Sequence, residues 1–291
     1  MSVSATDVKK LRDSTGAGIM DCKRALTETK GDIEKAIDYL RKKGIARAEK
    51  KASRETKDGL IESYIHPKSK LGVLLEVNCE TDFVAKTPDF KNFVRDIAMH
   101  IADKKPTDIS GLLQQSFINN PDKAIEEVQK ELIGKLGENI TIKRFVCYEF
   151  KNGLIESYIH PGSKLGVLVE VNCDNSTVTA STDFQSFVHD IAMQVAASNP
   201  LVIRREELSP EIITKEMNIY RTQAENQNKP KHIAEKIAHG KMEKFYQEVC
   251  LMEQSFIKDP NKTIEELSKE LIGKIGVNIT IHRFARFQLG E

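Results

Sequence analysis

Residues 59–99, GLIESYIHPKSKLGVLLEVNCETDFVAKTPDFKNFVRDIAM, return as residues 153–193, GLIESYIHPGSKLGVLVEVNCDNSTVTASTDFQSFVHDIAM, with 28 of 41 positions identical and no gap. A second pair extends the duplication: QSFINNPDKAIEEVQKELIGKLGENITIKRF (115–145) returns as QSFIKDPNKTIEELSKELIGKIGVNITIHRF (254–284). A chain written twice is expected to fold the same supersecondary unit twice, so each local reading is made in duplicate.

Each copy reads strand, hairpin, strand, helix, connector, helix, strand. In the first, Ile61, Ser63 and Ile65 alternate with Leu60, Glu62 and Tyr64, and Pro67-Lys68-Ser69-Lys70 turns into the strand Leu71–Cys79. Phe90, Phe93, Val94, Ile97 and Ile101 have helical spacing, and 140–150 alternates as a strand. Strands joined by a hairpin imply an antiparallel sheet with helices on one face, an α+β layer. The copies differ in length only at the connector, 104–114 in the first and 198–253 in the second. The extra chain opens on Ser209-Pro210, an N-cap followed by an N1 proline. Ile213, Met217, Tyr220 and Ala224, then Ile233, Ile237, Met242, Phe245 and Val249, form two stripes separated by the polar stretch 226–231. They predict an antiparallel helical hairpin, weakened or bent at Gly240.

Ahead of the duplication, Ser4 and Asp7 make a capping-box-like start before Val8 and Leu11. Ile19, Cys22 and Leu26 follow the Thr15-Gly16-Ala17-Gly18 turn, and Ile33, Ala36, Ile37 and Leu40 form a third stripe after Gly31-Asp32. The expected fold class is therefore α+β: a small N-terminal three-helix module, two repeated antiparallel-sheet-plus-helix subdomains, and an inserted helical hairpin in the second. The boundaries are 1–55 for the module and basic linker, 56–151 and 152–291 for the repeats, and about 204–248 for the insert. Three short helices give a small core, so the module is expected to lean on a partner or on the rest of the chain.

A formal net charge of +1 supplies no field to drive the chain onto nucleic acid or an anionic membrane. No apolar run reaches membrane-span length, and MSVSATDVKK lacks a signal-peptide core. Five isolated cysteines without a C-x-x-C pair argue for a reducing cytoplasm. There is no P-loop and no H-E-x-x-H. His232 and His239 are expected at exposed polar positions of the hairpin. His66 and His160 recur before Pro67 and Pro161, where local hydrogen bonding is the plain account and a duplicated base the alternative. No catalytic residue, cofactor or metal is expected. Eight Lys and Arg between 41 and 57 read as a solvated helix end and linker, or as a phosphate-binding stripe without interleaved aromatics.

The duplication is its own control. Between 80 and 88 only one position of nine matches, while 27 of the other 32 agree. ETDFVAK faces DNSTVTA, so Asp82 and Phe83 stand where the second copy has Ser176 and Thr177. Either the segment has drifted as an exposed loop, with Phe83 folded onto its own core, or the first copy presents a recognition element. In the second reading Asp82 caps a turn with Phe83 at its tip, an apolar wedge bearing a negative charge.

LRDSTGAGIMDCKRALTETKGDIEKAIDYLRKKG (11–44), EVNCETDFVAKTPDF (76–90) and the insert SPEIITKE…GKMEKFYQEVCLMEQSF together resemble the elongation factor Ts family over essentially the whole chain. The resemblance implies a ubiquitin-associated-like N-terminal module and a coiled-coil arm. It also implies that the chain is the guanine nucleotide exchange factor of elongation factor Tu. By that likeness Thr81, Asp82, Phe83 and Val84 approach the magnesium side of the partner's nucleotide site. Ile19, Met20 and Lys23 pack on a helix of its GTPase domain, Leu136-Gly137 makes a further contact of that kind, and His160 faces its third domain. At position 19 the family also accepts Met, so Ile19 is a mild variation by that resemblance. Some members carry a further C-terminal helical module; the sequence ends at Phe287-Gln288-Leu289-Gly290-Glu291, from which a greater reliance on the core is expected. A bacterial cytoplasmic location follows from the same likeness and from the absence of an Arg-rich leader. Homodimerisation through the core or hairpin, with Cys250 available to crosslink, stays open. The competing functions are an RNA- or ribosome-associated protein using 41–57 and a metal hydrolase using His66 or His160.

Overall fold

A computed structural model describes residues 3–66, 70–150, 152–175, 177–226 and 230–291. The Pro67-Lys68-Ser69 turn, Ser176 and the middle of the polar stretch between the insert's helices lie outside the described residues. The fold is mixed helix and antiparallel sheet, the α+β class expected. Its contacts divide into two compact units, Met1–Tyr64 with Val73–Cys147 and Gln288–Glu291, and Ile65–Gly72 with Tyr148–Phe287.

The first unit opens with α1 (Ala5–Thr15), α2 (Ile19–Glu28) and α3 (Ile33–Lys51). Ser4 Oγ accepts from the Asp7 amide at 3.0 Å, and Gly16 ends α1 at φ 65°, a backbone that glycine adopts without a Cβ clash. Asp32 caps α3 by accepting from the Lys35 amide. Leu11, Cys22, Ala25, Leu26 and Ala36 are buried together, ringed by Val8, Ile33 and Leu40. Ile19 and Ile37, which spacing places on the same stripes, instead point outward. A helical stripe is wider than the contact a short neighbouring helix can cover, so its edges stay wet.

An ion-pair clamp compensates for the small core. Asp21 on α2 accepts from Lys43 Nζ at 3.0 Å and from both terminal nitrogens of Arg47 on α3 at 2.9 and 3.0 Å. Those bonds, Arg47 first, hold the Asp21 carboxyl at about 2. Its folded value lies below the unfolded one of about 4, so the clamp acts fully above that value and is lost as the pH falls towards 2. Asp21→Asn is expected to lower neutral-pH stability by about 1 kcal/mol, discounted for the part of the side chain in water. It should also flatten the stability-versus-pH curve between those limits, read by urea unfolding at a series of pH values.

The unit continues with β1 (Asp58–Ile65), β2 (Leu71–Cys79), α4 (Asp82–Ala85), α5 (Pro88–Lys104), α6 (Ile109–Gln114), β3 (Ser116–Phe117), β4 (Asn120–Ala124), α7 (Ile125–Leu136) and β5 (Ile140–Glu149). The sheet runs β1-β2-β5. Phe90, Phe93, Val94, Ile97 and Ile101 of α5 are buried, as their spacing predicts. All nine residues of β2 are buried, so this central strand is covered on both faces. Among them is Glu76, whose Oε2 accepts from Arg144 Nε on β5 at 2.6 Å. The β3–β4 hairpin escapes sequence reading because a two-residue strand is too short to alternate.

The second unit repeats the plan: β6 (Gly153–Ile159), β7 (Leu165–Cys173), a 3-10 turn Val178–Ala180, then α8 (Thr182–Ser198). After it come the insert helices α9 (Pro210–Glu225) and α10 (Lys231–Val249), then β8 (Ser255–Phe256), β9 (Asp259–Thr263), α11 (Ile264–Ile275) and β10 (Ile279–Gln288). The sheet order is β10-β7-β6, with β6 antiparallel to β7 from Gly153↔Asn172 to Ile159↔Gly166. Glu170 and Arg283 reproduce the buried pair at 2.7 Å. Ser209 caps α9 and Pro210 opens it. Ala224, Ala234, Ala238 and Met242 are buried where the two helices pack. Helix α10 runs unbroken through Gly240, where weakening was expected. One interior glycine costs only about 1 kcal/mol, which that packing offsets.

Candidate partner-binding site

The divergent segment is not a loop in the first copy. Residues Asp82–Ala85 form one helical turn, and two of its side chains anchor it: Val84 and Ala85 are buried. Phe83 is 79% exposed, which rules out burial of the ring on its own core. The expected capping role of Asp82 is corrected. Thr81 occupies the N-cap position, and Asp82 is the first helical residue, its Oδ2 2.6 Å from Lys86 Nζ. Thr81 instead fixes the turn from outside: its amide and Oγ1 donate to the two carboxylate oxygens of Glu138 at 3.0 and 2.6 Å. Next to it, Glu80 Oε1 accepts from the Asn139 amide at 2.7 Å, a bond that, with Arg54, draws the Glu80 carboxyl below its ordinary range. Asn139 Nδ2 donates on to the Arg54 carbonyl at 2.8 Å.

The second copy shows what this brace does. Glu138 is matched by Val277 and Thr81 by Asn175, and the equivalent chain forms only the 3-10 turn, with Thr177 where Phe83 would be. Val178, the twin of Val84, still packs on its core. Paired divergence at 81 and 138 was the signal in the sequence that could have found Glu138, which the reading missed.

The remaining candidates of this unit lie at the end of α7 and on α2. Leu136 is the last residue of α7, and Gly137 follows at φ 80°, its amide donating to the Ile133 carbonyl. The Gly137 carbonyl accepts from Lys51 at the end of α3. Lys135 Nζ pairs with Asp89 at 2.7 Å and its side chain lies against Gly16. Residues 135–139 thus touch the turn before α2, the end of α3 and the base of α4. Ile19 (53% exposed), Met20 (70% exposed) and the exposed Lys23 stand on α2 without cover. His160 belongs to the second unit, exposed, its Nδ1 3.0 Å from the Tyr158 hydroxyl.

The basic stretch is largely consumed within its own unit. Arg41 bridges Glu127 and Glu131, Lys43 and Arg47 hold Asp21, Arg54 meets Glu80, and Lys57 meets Glu55. A phosphate would compete with those carboxylates for its contacts. Among the described residues no group of His, Cys, Asp or Glu is placed to hold a metal ion. His100, fully buried, accepts from the Ile118 amide at Nδ1 and so presents its Nε2–H to Gln115 at 2.8 Å. Gln194 and Gln254 make the matching contacts in the second copy, so the position holds a hairpin in place. Cys250, left open as a crosslink, is buried, and burial pushes its thiol up to about 11. No helix among the described residues is long and apolar enough to cross a membrane.

The family model described as "Elongation factor TS" matches residues 80–291, from Glu80 beside the exposed turn to the last residue. Relatives described as elongation factor Ts match the whole length. That of Trichlorobacter lovleyi is 43% identical over 291 residues, covering 100% of this chain and 94% of its own. That of Clostridium botulinum (strain Alaska E43) is 45% identical over 289 residues, with 99% and 93% covered. The chain belongs to the elongation factor Ts family. It is thereby one of the elongation factors of protein biosynthesis, and in elongation factor Ts terms the exposed turn lies in the matched region while α1 to α3 precede it.

Proposed function

We propose that this protein is a cytoplasmic guanine nucleotide exchange factor, not an enzyme, that binds elongation factor Tu with GDP and promotes replacement of GDP by GTP. The observation that carries the reading is a phenylalanine almost wholly in water on a turn whose base is braced by Glu138. A ring held outward adds little to the stability of the protein alone, and burying it in a partner contributes roughly 1.5–3 kcal/mol. Its neighbour Asp82 brings a carboxylate to the same place. Inserted at the magnesium side of the partner's site, the pair Asp82 and Phe83 disturbs the cation's coordination, with Thr81 and Val84 setting the depth of the insertion. Magnesium ties phosphate oxygens to protein ligands, so loosening it weakens the nucleotide without any contact to sugar or base.

Linkage makes the effect reciprocal: a factor that weakens GDP binding is itself bound less tightly while GDP is present. A thousandfold acceleration needs roughly 4 kcal/mol of preferential stabilisation of the release transition state. One ring does not supply that. In this reading the module 1–55, through Ile19, Met20 and Lys23, the first repeat 56–151, through Leu136 and Gly137, and the second repeat 152–291, through His160, contribute the binding energy that drives the wedge home. The test is stopped-flow release of a fluorescent GDP from purified elongation factor Tu. Acceleration that saturates with added protein is the expected result; an unchanged release rate sinks the proposal.

A further inference from the structure

The same helix, α7 in the first copy and α11 in the second, carries a glycine at the same place: Gly134 in ELIGKL and Gly273 in ELIGKI. Duplicate sequence does not give them duplicate surroundings. A Cβ on Gly134 would stand 2.7 Å from the Cα of Gly44 on α3, backbone against backbone, whereas a Cβ on Gly273 would meet nothing within 4 Å. The contact is one-sided as well. A Cβ on Gly44 would lie 3.6 Å from Gly134 Cα, an ordinary van der Waals distance. Backbone cannot swing aside as a side chain can, so any side chain at 134 must lift α3 off α7.

Polar contacts on either side of this crossing point the same way. Arg41, one turn before Gly44, bridges Glu127 and Glu131 of α7, both at 2.8 Å. Lys51, at the far end of α3, donates to the Gly137 carbonyl. In the second copy Glu266, the counterpart of Glu127, closes a capping box with Thr263, while Glu270 keeps only the lysine pair that Glu131 also makes, with Lys262 in place of Lys123. The first copy has Ala124 in place of that Thr and no side-chain cap, which leaves Glu127 available to α3.

We propose that Gly134 is a positioning residue that seats α3 on α7 and so fixes the outward patch of Ile19 and Met20 with respect to the turn carrying Phe83. The path is short, since residues 135–139 run from this crossing to the Glu138 brace on Thr81. A partner engaged by both patches at once gains from their fixed geometry, because less internal freedom is lost on binding. The inference rests on the exchange-factor reading for its consequence, and on packing alone for its structural half.

The experiment compares full-length Gly134→Ala, Gly44→Ala and Gly273→Ala by two readouts, amide hydrogen exchange and the dependence of stimulated GDP release on factor concentration. Gly134→Ala should speed exchange of α3 amides about tenfold with β2 amides unchanged, and raise the half-saturating concentration about tenfold with the plateau within about twofold. Gly44→Ala and Gly273→Ala should match the parent in both. Normal α3 protection and a normal half-saturating concentration in Gly134→Ala would overturn the proposal, and so would equal loosening of β2, which marks general destabilisation. If the parent protein fails to accelerate release at all, the exchange-factor reading falls, while α3 protection still decides what Gly134 does.

Discussion

Phe83→Ala is expected to slow stimulated GDP release by roughly tenfold to a hundredfold, the rate equivalent of losing about 1.5–3 kcal/mol of ring burial in the release transition state. Its thermal unfolding should stay within about 0.5 kcal/mol of the parent, because a ring 79% exposed has little native contact to lose. The contrast that gives this result meaning is Val84→Ala, one residue on. Val84 is buried, so its truncation creates a cavity and costs about 1–2 kcal/mol of stability as well as any exchange activity. Asp82→Asn keeps the shape of the wedge and removes its charge, separating steric from electrostatic displacement. Stopped-flow release and urea unfolding on the same three variants make the comparison; equal losses of rate and stability in Phe83→Ala would return the ring to a packing role.

The second large effect is expected at the duplicated buried ion pair. Glu76 is fully buried, with one oxygen on Arg144 Nε and the other, Oε1, without a hydrogen-bond partner. Arg144 also donates to the Gln288 carbonyl at 3.1 Å, tying the chain's end to β5. Arg144→Met strands a carboxylate in the interior and is expected to cost about 3 kcal/mol in urea unfolding. Removing both partners together, in Glu76→Leu with Arg144→Met, should recover most of that loss and fall within about 1 kcal/mol of the parent, since desolvating the pair offsets much of its attraction. A double variant as unstable as Arg144→Met would show that the guanidinium acts by packing its stem and not by its charge. The twin Arg283 also stacks over Tyr148, 4.0 Å from the ring centroid, so its truncation removes two contacts at once.

Much of this molecule was legible because its signals are local. Apolar spacing gave α5 and the two insert helices, Ser4, Ser209 and Pro210 marked where helices start, alternating runs gave β1 and β5, and the turn signal ahead of Leu71 gave β2. Writing the unit twice singled out 80–88 as the place where the copies diverge, and that needed no coordinates at all. Local signals failed where the element spans barely one period: α4 was left between an exposed loop and a turn, and β3 was not read. They also failed at the rims of helical stripes, where Ile19 and Ile37 face water.

What tertiary structure alone decided are the pairings between distant positions. Periodicity says which face of a helix is apolar, but not which helix will meet it or at what height. Gly134 and Gly273 share their neighbours in sequence, and only the seating of α3 brings backbone close against the first of them. The basic stretch 41–57 read as a solvated linker or a phosphate stripe, and the structure sets Asp21, Glu80, Glu127 and Glu131 against it. Thr81 is gripped by an acid 57 residues away, across chain that no local rule spans. Sequence determined the elements and the one segment in which the copies differ; the crossing of helices, set by backbone contact and long-range charge, determined how that segment is held.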